Sequence, residues 1–366
     1  MAVQYHSGGF PPKSYDWSRL VGPVARASDS IARFDSFLGL IPNPDLLIAP
    51  LMKQEAVASS RIEGTRASVS DVLIFEAGGD SPSDKADDIM EVLNYQRAVV
   101  VAERMLNDLP FSGRVLKEAH KILLDGVRGQ TKSPGRYRTE QNWIGTSYDI
   151  AEARYVPVSP LDLDDAMAAW ERYVNDSGDP ALVKIAVAHA EFESIHPFCD
   201  GNGRIGRMMI PLMLNADGLL SNPCFYLSEF FEHRNSEYQD RLLAVSRDGD
   251  WTGWCEFFIN AVAVQAVENA EKARRIFDLY KATRSLLIEK SNSINVDKIM
   301  DPLFQSAIFS ARAFSGIPGV SNKTTSRMLA ALKELGVVKE IFPHSGQRPS
   351  IYAFGELLKI TDGIEL

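Results

Sequence analysis

The sequence predicts a mainly α-helical protein with a β-hairpin inserted midway and a smaller α+β unit towards the C-terminal end. Three observations carry that expectation. Apolar residues recur at helical spacing through most of the chain, as in "DSIARFDSFLGLI", where Ile31, Phe34, Phe37 and Leu38 share a face. Extended patterning is confined to "GRYRTEQNWIGTSYDIAEARYVPVSP" and "VVKEIFPHSGQRPSIYAF", each built around a turn-forming stretch. Finally, 366 residues with 45% hydrophobic and 24% charged content give an ordinary globular composition and length enough for two or three cores.

Residues 1–25 carry Gly, Pro and Ser and are expected to lie over the surface as an arm. From Ala25 to Asn107 the pattern is helical. "PDLLIAPLMKQEAVASSRIEG" runs to a glycine stop, "SVSDVLIFEAG" follows, and "DKADDIMEVLNYQRAVVVAERMLND" is a long amphipathic helix. "SGRVLKEAHKILLDG" predicts a helix capped by Ser112. Tyr, Trp, Ile and Val around "GTSYD" predict the hairpin. Helices are read again in "LDLDDAMAAWERYVND", "ALVKIAVAHAEFESIH", "IGRMMIPLMLNADG" and "HRNSEYQDRLLAVSRDGD". Another, "WTGWCEFFINAVAVQAVENAEKARRIFDLYKATR", is long enough to connect two domains. Beyond Ser291, "MDPLFQSAIFSARAF" and "SNKTTSRMLAALKELG" read as helices joined by "SGIPGV" and followed by two strands. Helix, turn, helix and β-wing is the order of a winged helix. The expected divisions are a helical region (1–110), a core (111–265), a connecting helix (266–290) and a winged-helix α+β domain (291–366).

Lys plus Arg number 39 and Asp plus Glu 48, a net charge of −9, which argues against a surface given over to nucleic acid. An anionic ligand must then be held by locally concentrated positive groups. Cys199, Cys224 and Cys255 are odd in number and lack metal-ligand spacing, so reduced thiols in a cytosolic protein are expected. "MAVQYHSGGFPPKSYDW" has no apolar h-region and no run approaches a membrane span, so a cytoplasmic location without membrane contact is expected.

One stretch breaks the helical pattern with costly residues: "HPFCDGNGRIGR", beginning at His196. Pro197 disfavours helix in the residue before it, so the preceding helix should stop at His196. Ile185, His189, Phe192 and His196 lie on one stripe of that helix. His189 alone reads as a hydrogen-bonded core histidine. Gly201 and Gly203 permit close backbone approach, and the N–H groups of a helix starting near Gly203 form an anion site. Arg204 and Arg207, three apart, share a face and offer two guanidinium forks suited to polyphosphate. Asp200 is placed to hold a Mg²⁺ that bridges phosphates. A base, a metal ligand, an anion cradle and two clamps are equipment for transfer chemistry on a nucleoside triphosphate.

This stretch resembles the signature of Fic-domain proteins, HPFx(D/E)GNGRxxR, and matches it at every fixed position. "GRYRTEQNWIG" through "ARYVPVSP" resembles that family's flap over the active site, and "SSRIEG" its inhibitory motif, (S/T)xxxE(G/N). The resemblance implies a Fic fold, a helical core with a β-hairpin flap, and transfer of AMP from ATP to a Ser, Thr or Tyr hydroxyl of a target protein or of itself. His196 would be the general base and Asp200 the Mg²⁺ ligand. Gly201, Asn202, Gly203, Arg204, Ile205, Gly206 and Arg207 would hold the phosphates, Arg204 and Arg207 gripping the β/γ end. Ile144, Gly145, Thr146 and Ser147 of the flap would border the nucleotide and align the target by strand addition. Tyr238, Gln239 and Ser246 fall where the family contacts adenosine, although an asparagine is expected at the last. A phosphorylating branch has Ala and Lys within the loop; this chain keeps "GNGR".

Glu63 stands in the last turn before Gly64, where the helix dipole disfavours negative charge. The resemblance supplies a cation for it: Glu63 would pair with Arg207, close the clamp for the γ-phosphate and hold ATP unreactive, with Ser59 adding a hydrogen bond. The same carboxylate is alternatively a residue that orients water to remove AMP. A homodimer is a further implication. The rival reading is a DNA-binding regulator, with contacts from residues 291–366 such as Lys323, Arg327, Lys333, His344 and Arg348, whose core only senses nucleotide.

Overall fold

The Asp16 carboxylate accepts a hydrogen bond from the Ser18 N–H at 3.0 Å, and that cap starts the first long helix. The computed structural model describes residues 2–41, 43–80, 83–147, 149–346 and 348–365; Tyr148, in the expected flap turn, and Gln347, in the expected wing, lie outside them. Along the chain, strand β1 (Val3–Gln4) precedes helices α1 (Trp17–Gly39), α2 (Asp45–Ile62), α3 (Val69–Glu76) and α4 (Ala86–Leu106). Next come α5 (Gly113–Leu123), strand β2 (Tyr155–Val156), α6 (Leu163–Asp176), α7 (Ala181–Ile195) and α8 (Asn202–Ala216). Then follow α9 (Ser228–His233), α10 (Asn235–Asp248) and the 41-residue α11 (Trp251–Ser291).

Helix α1 buries Ile31, Phe34 and Leu38 of the stripe read from its spacing, leaves Phe37 half-buried, adds Leu20 and Ala27, and lies along α11. Ser68 and Asp71 form a reciprocal capping box that starts α3. Helix α7 is buried on nearly every side and packs between α6, α8 and α11, as a central helix does. Its carbonyls even receive the indoles of Trp170 (to Ala188 O, 2.8 Å) and Trp254 (to Ala186 O, 2.7 Å).

The last part of the chain comprises α12 (Val296–Gln305), β3 (Ile308–Ser310), α13 (Ala311–Ser315), α14 (Asn322–Glu334), β4 (Lys339–Phe342), β5 (Ile351–Ala353) and α15 (Gly355–Asp362). Its strands form an antiparallel sheet in the order β3-β5-β4, and Ser321 caps α14 by accepting from Thr324 N. Helices α12 and α15 rest on α2, and buried apolar side chains run in one cluster from Leu20 to Ile360.

Four local expectations change. "MDPLFQSAIFSARAF", read as one helix, is divided into the end of α12, strand β3 and α13, because Ile308–Ser310 pairs with β5 instead of continuing the helix. The first residues are not a loose arm: β1 pairs in parallel with β2, Val3 opposite Tyr155, because the flap offers an open strand edge. Among the described residues the hairpin is reduced to one bridge, Ile144 to Tyr155, which encloses a 3₁₀ turn at Ile150–Glu152. Ser112 occupies the N-cap of α5 without a side-chain cap; the Glu171 carboxylate accepts from Gly113 N at 2.6 Å instead. All three cysteines are free thiols. Among the described residues, no helix is long and apolar enough to cross a membrane.

Candidate functional site

Helix α7 stops at Ile195, and His196 takes the left-handed conformation (φ 50°, ψ 61°). Pro197 forbids a further helical turn, as expected, but the stop is αL rather than extended. Such a residue needs surroundings that over-determine it. Arg138 supplies them: its guanidinium donates to the carbonyls of His196 (3.0 Å), Ile195 (3.3 Å), Glu140 (3.2 Å) and Val158, and its N–H donates to Pro197 O at 2.9 Å. On the other side, Phe198 stacks on the His120 ring at 3.8 Å. His120 Nε2 donates to Asp200 O (2.9 Å) while its Nδ1 accepts from Gly135 N (2.9 Å), so the ring is neutral; burial pushes its pKa down to about 4.

Asn202 closes the turn on itself. Its Oδ1 accepts from Phe198 N at 2.8 Å and its Nδ2 donates to Phe198 O at 2.9 Å. Expected in the phosphate cradle, its amide is committed to shaping the loop. Gly201, at φ 77°, precedes α8, and no side chain caps that helix, so its first N–H groups keep their anion-binding capacity.

His196 is half-buried, and its Nδ1 lies 3.3 Å from Glu193 O. A carbonyl only accepts, so the proton sits on Nδ1 and Nε2 is left as a base. Burial, helped by the Arg138 charge, pushes the imidazole down to about 4 against the opposing pull of the Glu193 carbonyl hydrogen bond and the Glu63 and Asp200 carboxylates, so the ring is neutral near pH 7.

The two arginines leave α8 in different directions. Arg207, 2% exposed, donates through Nη2 to Glu63 Oε1 (2.7 Å) and Ser59 O (2.8 Å), and through Nε to Ser59 Oγ (3.0 Å). Burial opposes ionisation of both partners, and their mutual attraction outweighs it: Glu63 is held below the ordinary carboxylate value and Arg207 above the ordinary guanidinium value. Gly203 is a steric requirement of that pair, since a Cβ there would collide with Glu63 Oε1 and Arg207 Nη1. Gly64, at φ 95°, ends α2 where its backbone must turn. Arg204, 1% exposed, turns instead to Glu91 Oε2 (3.1 Å) and Asp200 Oδ1 (3.3 Å). Thr65 and Arg128 also donate to Glu91.

A cavity of about 380 Å³ lies beside the loop. Of the residues expected there, Glu63, Ile144, Gly145, His196, Gly203, Arg207, Tyr238 and Gln239 line it. Sequence reasoning missed Ile62, Trp143, Arg154, Tyr155, Glu193, Ser194, Leu242 and Leu243 on the same wall. Thr146 is exposed at the flap tip, and Ser147 is taken up locally, donating to Glu152 Oε2 at 2.8 Å. Asp200, Gly201, Asn202, Arg204, Ile205 and Gly206 shape the loop and helix behind the wall rather than lining it. Ser246 is also off the wall, because its hydroxyl is engaged by His6 (2.7 Å) and Tyr155 (3.2 Å). His189 bonds Tyr238 OH (2.9 Å) and Gly206 O (3.1 Å), the core role its position predicts.

Among the described residues no group of three His, Cys, Asp or Glu is placed to hold a metal unaided. The part-exposed Asp200 carboxylate fits Mg²⁺ only as one ligand beside phosphate oxygens and water, the usual Mg²⁺ donor set.

Two family models match the chain: Fic/DOC family N-terminal over residues 21–103 and Fic/DOC family over residues 110–214, together just over half of it. "Protein adenylyltransferase fic-1" of Caenorhabditis briggsae is 28% identical over 170 residues, 43% of this chain and 30% of that protein. The chain thus spans under a third of the length of the first curated relatives it matches. "Probable protein adenylyltransferase aq_aa38" of Aquifex aeolicus (strain VF5) is 25% identical over 307 residues, covering 79% of this chain and 83% of that protein. Among solved structures, a Fic family protein from Desulfovibrio desulfuricans G20 superposes with a TM-score of 0.62 at 22% identity, over 94% of this chain and 98% of its own. Fic-1 (aa134–508) from C. elegans gives 0.51 at 19% identity, over 71% and 74%. These superpositions establish the fold.

Proposed function

Because the chain belongs to the Fic/DOC family, we propose that it is a protein adenylyltransferase, held inactive in the present conformation by Glu63. The observation that carries this reading is the convergence of His196, its Nδ1 turned to the Glu193 carbonyl, and the Glu63–Arg207 pair on one cavity at the start of α8.

In the proposed reaction a Ser, Thr or Tyr hydroxyl of a target protein attacks the α-phosphorus of ATP. The new O–P bond forms as the bond from the α-phosphorus to the α,β-bridging oxygen breaks, and pyrophosphate leaves. His196 Nε2 receives the hydroxyl proton; its neutral state near pH 7 suits it to that role. The free N–H groups of α8 and the Arg207 guanidinium would bear the phosphate charge. Asp200 would hold Mg²⁺, which supplies charge neutralisation on the phosphates. The outer edge of the flap limb on either side of Ile144 would meet the target backbone, and Tyr238 and Gln239 the nucleoside.

Glu63 puts a carboxylate on the cation that a γ-phosphate needs, which supports autoinhibition. Release of α2 would free Arg207. Labelled ATP with Mg²⁺ and the Glu63→Gly protein tests the reading: label on the protein itself or on a lysate partner is expected, and none with His196→Ala added. Absence of label from ATP, CTP, GTP and UTP alike overturns it.

A further inference from the structure

The first residues have neither helical nor strand patterning, yet they contact the elements that form the cavity wall. Val3 N–H donates to Arg154 O at 3.3 Å and Tyr5 N–H to Val156 O at 3.0 Å, which lays β1 along one edge of β2. Tyr155 pairs on the opposite edge with Ile144, donating to its carbonyl at 3.1 Å and accepting from its N–H at 2.9 Å. The returning limb of the flap is therefore held on both sides, by its bridge to Ile144 and by β1. A two-residue strand has little stability of its own.

Beneath β2, the side chains of residues 5 and 6 reach the helices that carry the site. Tyr5 OH donates to Glu191 Oε1 at 2.5 Å, and His6 Nε2 donates to Glu191 Oε2 at 2.8 Å. Glu191 is wholly buried on α7, so both oxygens need these partners. The other ring nitrogen, His6 Nδ1, lies 2.7 Å from Ser246 Oγ on α10. Ser246 donates to Tyr155 OH at 3.2 Å, and that hydroxyl donates to Ser194 O at 3.0 Å. One imidazole thus joins the helix ending at His196, the helix presenting Tyr238 and Gln239, and the flap strand.

We propose that residues 3–6, centred on His6, are a positioning element that sets the flap and α10 against the nucleotide. This rests on the reading of the cavity as a nucleotide site. His6 touches no reacting atom; it acts through Glu191, Ser246 and Tyr155.

Hydrogen exchange in the absence of nucleotide, on the full chain carrying His6→Phe, tests the structural half. Amides of Ile144, Arg154 and Tyr155 should exchange about tenfold faster, the loss of one or two buried hydrogen bonds, while those of α4 and α5 are unchanged. In the Glu63→Gly background, KM for ATP should rise about tenfold and kcat stay within about twofold, with His6→Gln, which keeps a donor for Glu191, falling between. Unchanged flap exchange, or faster exchange with unchanged KM, overturns the proposal. Should His6→Phe fail to fold, Val3→Pro removes one strand hydrogen bond without touching the core; the same exchange pattern is expected, and its absence overturns the proposal too. A loosened flap in a protein that never incorporates AMP upholds the flap anchoring and sinks the transferase reading instead.

Discussion

Glu63 Oε1 lies 2.7 Å from Arg207 Nη2, joining the end of α2 to the first turns of α8 across 144 residues of sequence. The carboxylate sits at a helix C-terminus, which the dipole disfavours, and the guanidinium repays that placement.

If this contact is the brake, its removal must raise activity. A charge-assisted hydrogen bond is worth about 1.5–3 kcal/mol. Glu63→Gly should therefore increase AMP incorporation by roughly ten- to a hundredfold. Quantified label per mole of protein decides it, and equal incorporation by both proteins ends the idea.

The proposed base, His196, must be neutral to act, and burial pushes it down to about 4 in the free protein. In the Glu63→Gly background, kcat/KM should be level from about pH 6 to 8 and fall only towards its folded pKa, well below the ordinary histidine range. His196→Ala should lower the rate by about 10²–10⁴. An acidic limb centred near 6.5 would contradict the buried-base assignment.

Glu193 lines the cavity with one buried oxygen, Oε1, that has no hydrogen-bond partner among the described residues. Burial raises its pKa to about 7; Arg207 pulls it down and Glu63 pushes it up. The folded state therefore keeps a proton that the unfolded chain has shed. Its contribution to stability is full below the unfolded value of 4.5 and is lost as pH rises through about 7. Glu193→Gln should accordingly gain stability relative to the parent between pH 5 and 8, measured by urea denaturation. Parallel curves across that range would refute the assignment.

Arg138 is 3% exposed and holds the carbonyls that force His196 into its left-handed pose. Arg138→Met should cost about 2–4 kcal/mol in unfolding free energy, since several buried carbonyls lose their donor together. Arg138→Lys keeps a charge without the planar fork and should be intermediate. Chemical denaturation measures both; a Met variant as stable as the parent would show the carbonyls find other donors.

Much of the helical fold was legible because 3.6-residue periodicity is local: α1, α4, α6 and α10 follow their apolar stripes. The loop from His196 to Arg207 was legible for a different reason, since rare residue types at fixed offsets leave few alternatives. Arg138, Glu91, Glu191 and His120 were not, because an arginine or glutamate reads as a solvated charge until its burial is known. The same applies to Arg204, whose spacing from Arg207 is right for a shared face but whose guanidinium is drawn towards the buried Glu91 on α4.

Local sequence determined which stretches are mostly helical, which turn breaks α7 from α8, and which imidazole, carboxylate and guanidinium groups the turn carries. Tertiary structure alone decided which arginine meets Glu63, that Ser246 serves His6 rather than the cavity, and that β1 pairs with the flap. Spacing along a chain sets which face a side chain leaves from. Only the packing of distant elements sets what it finds there, and in a buried site the nearest opposite charge or open strand edge takes the partner.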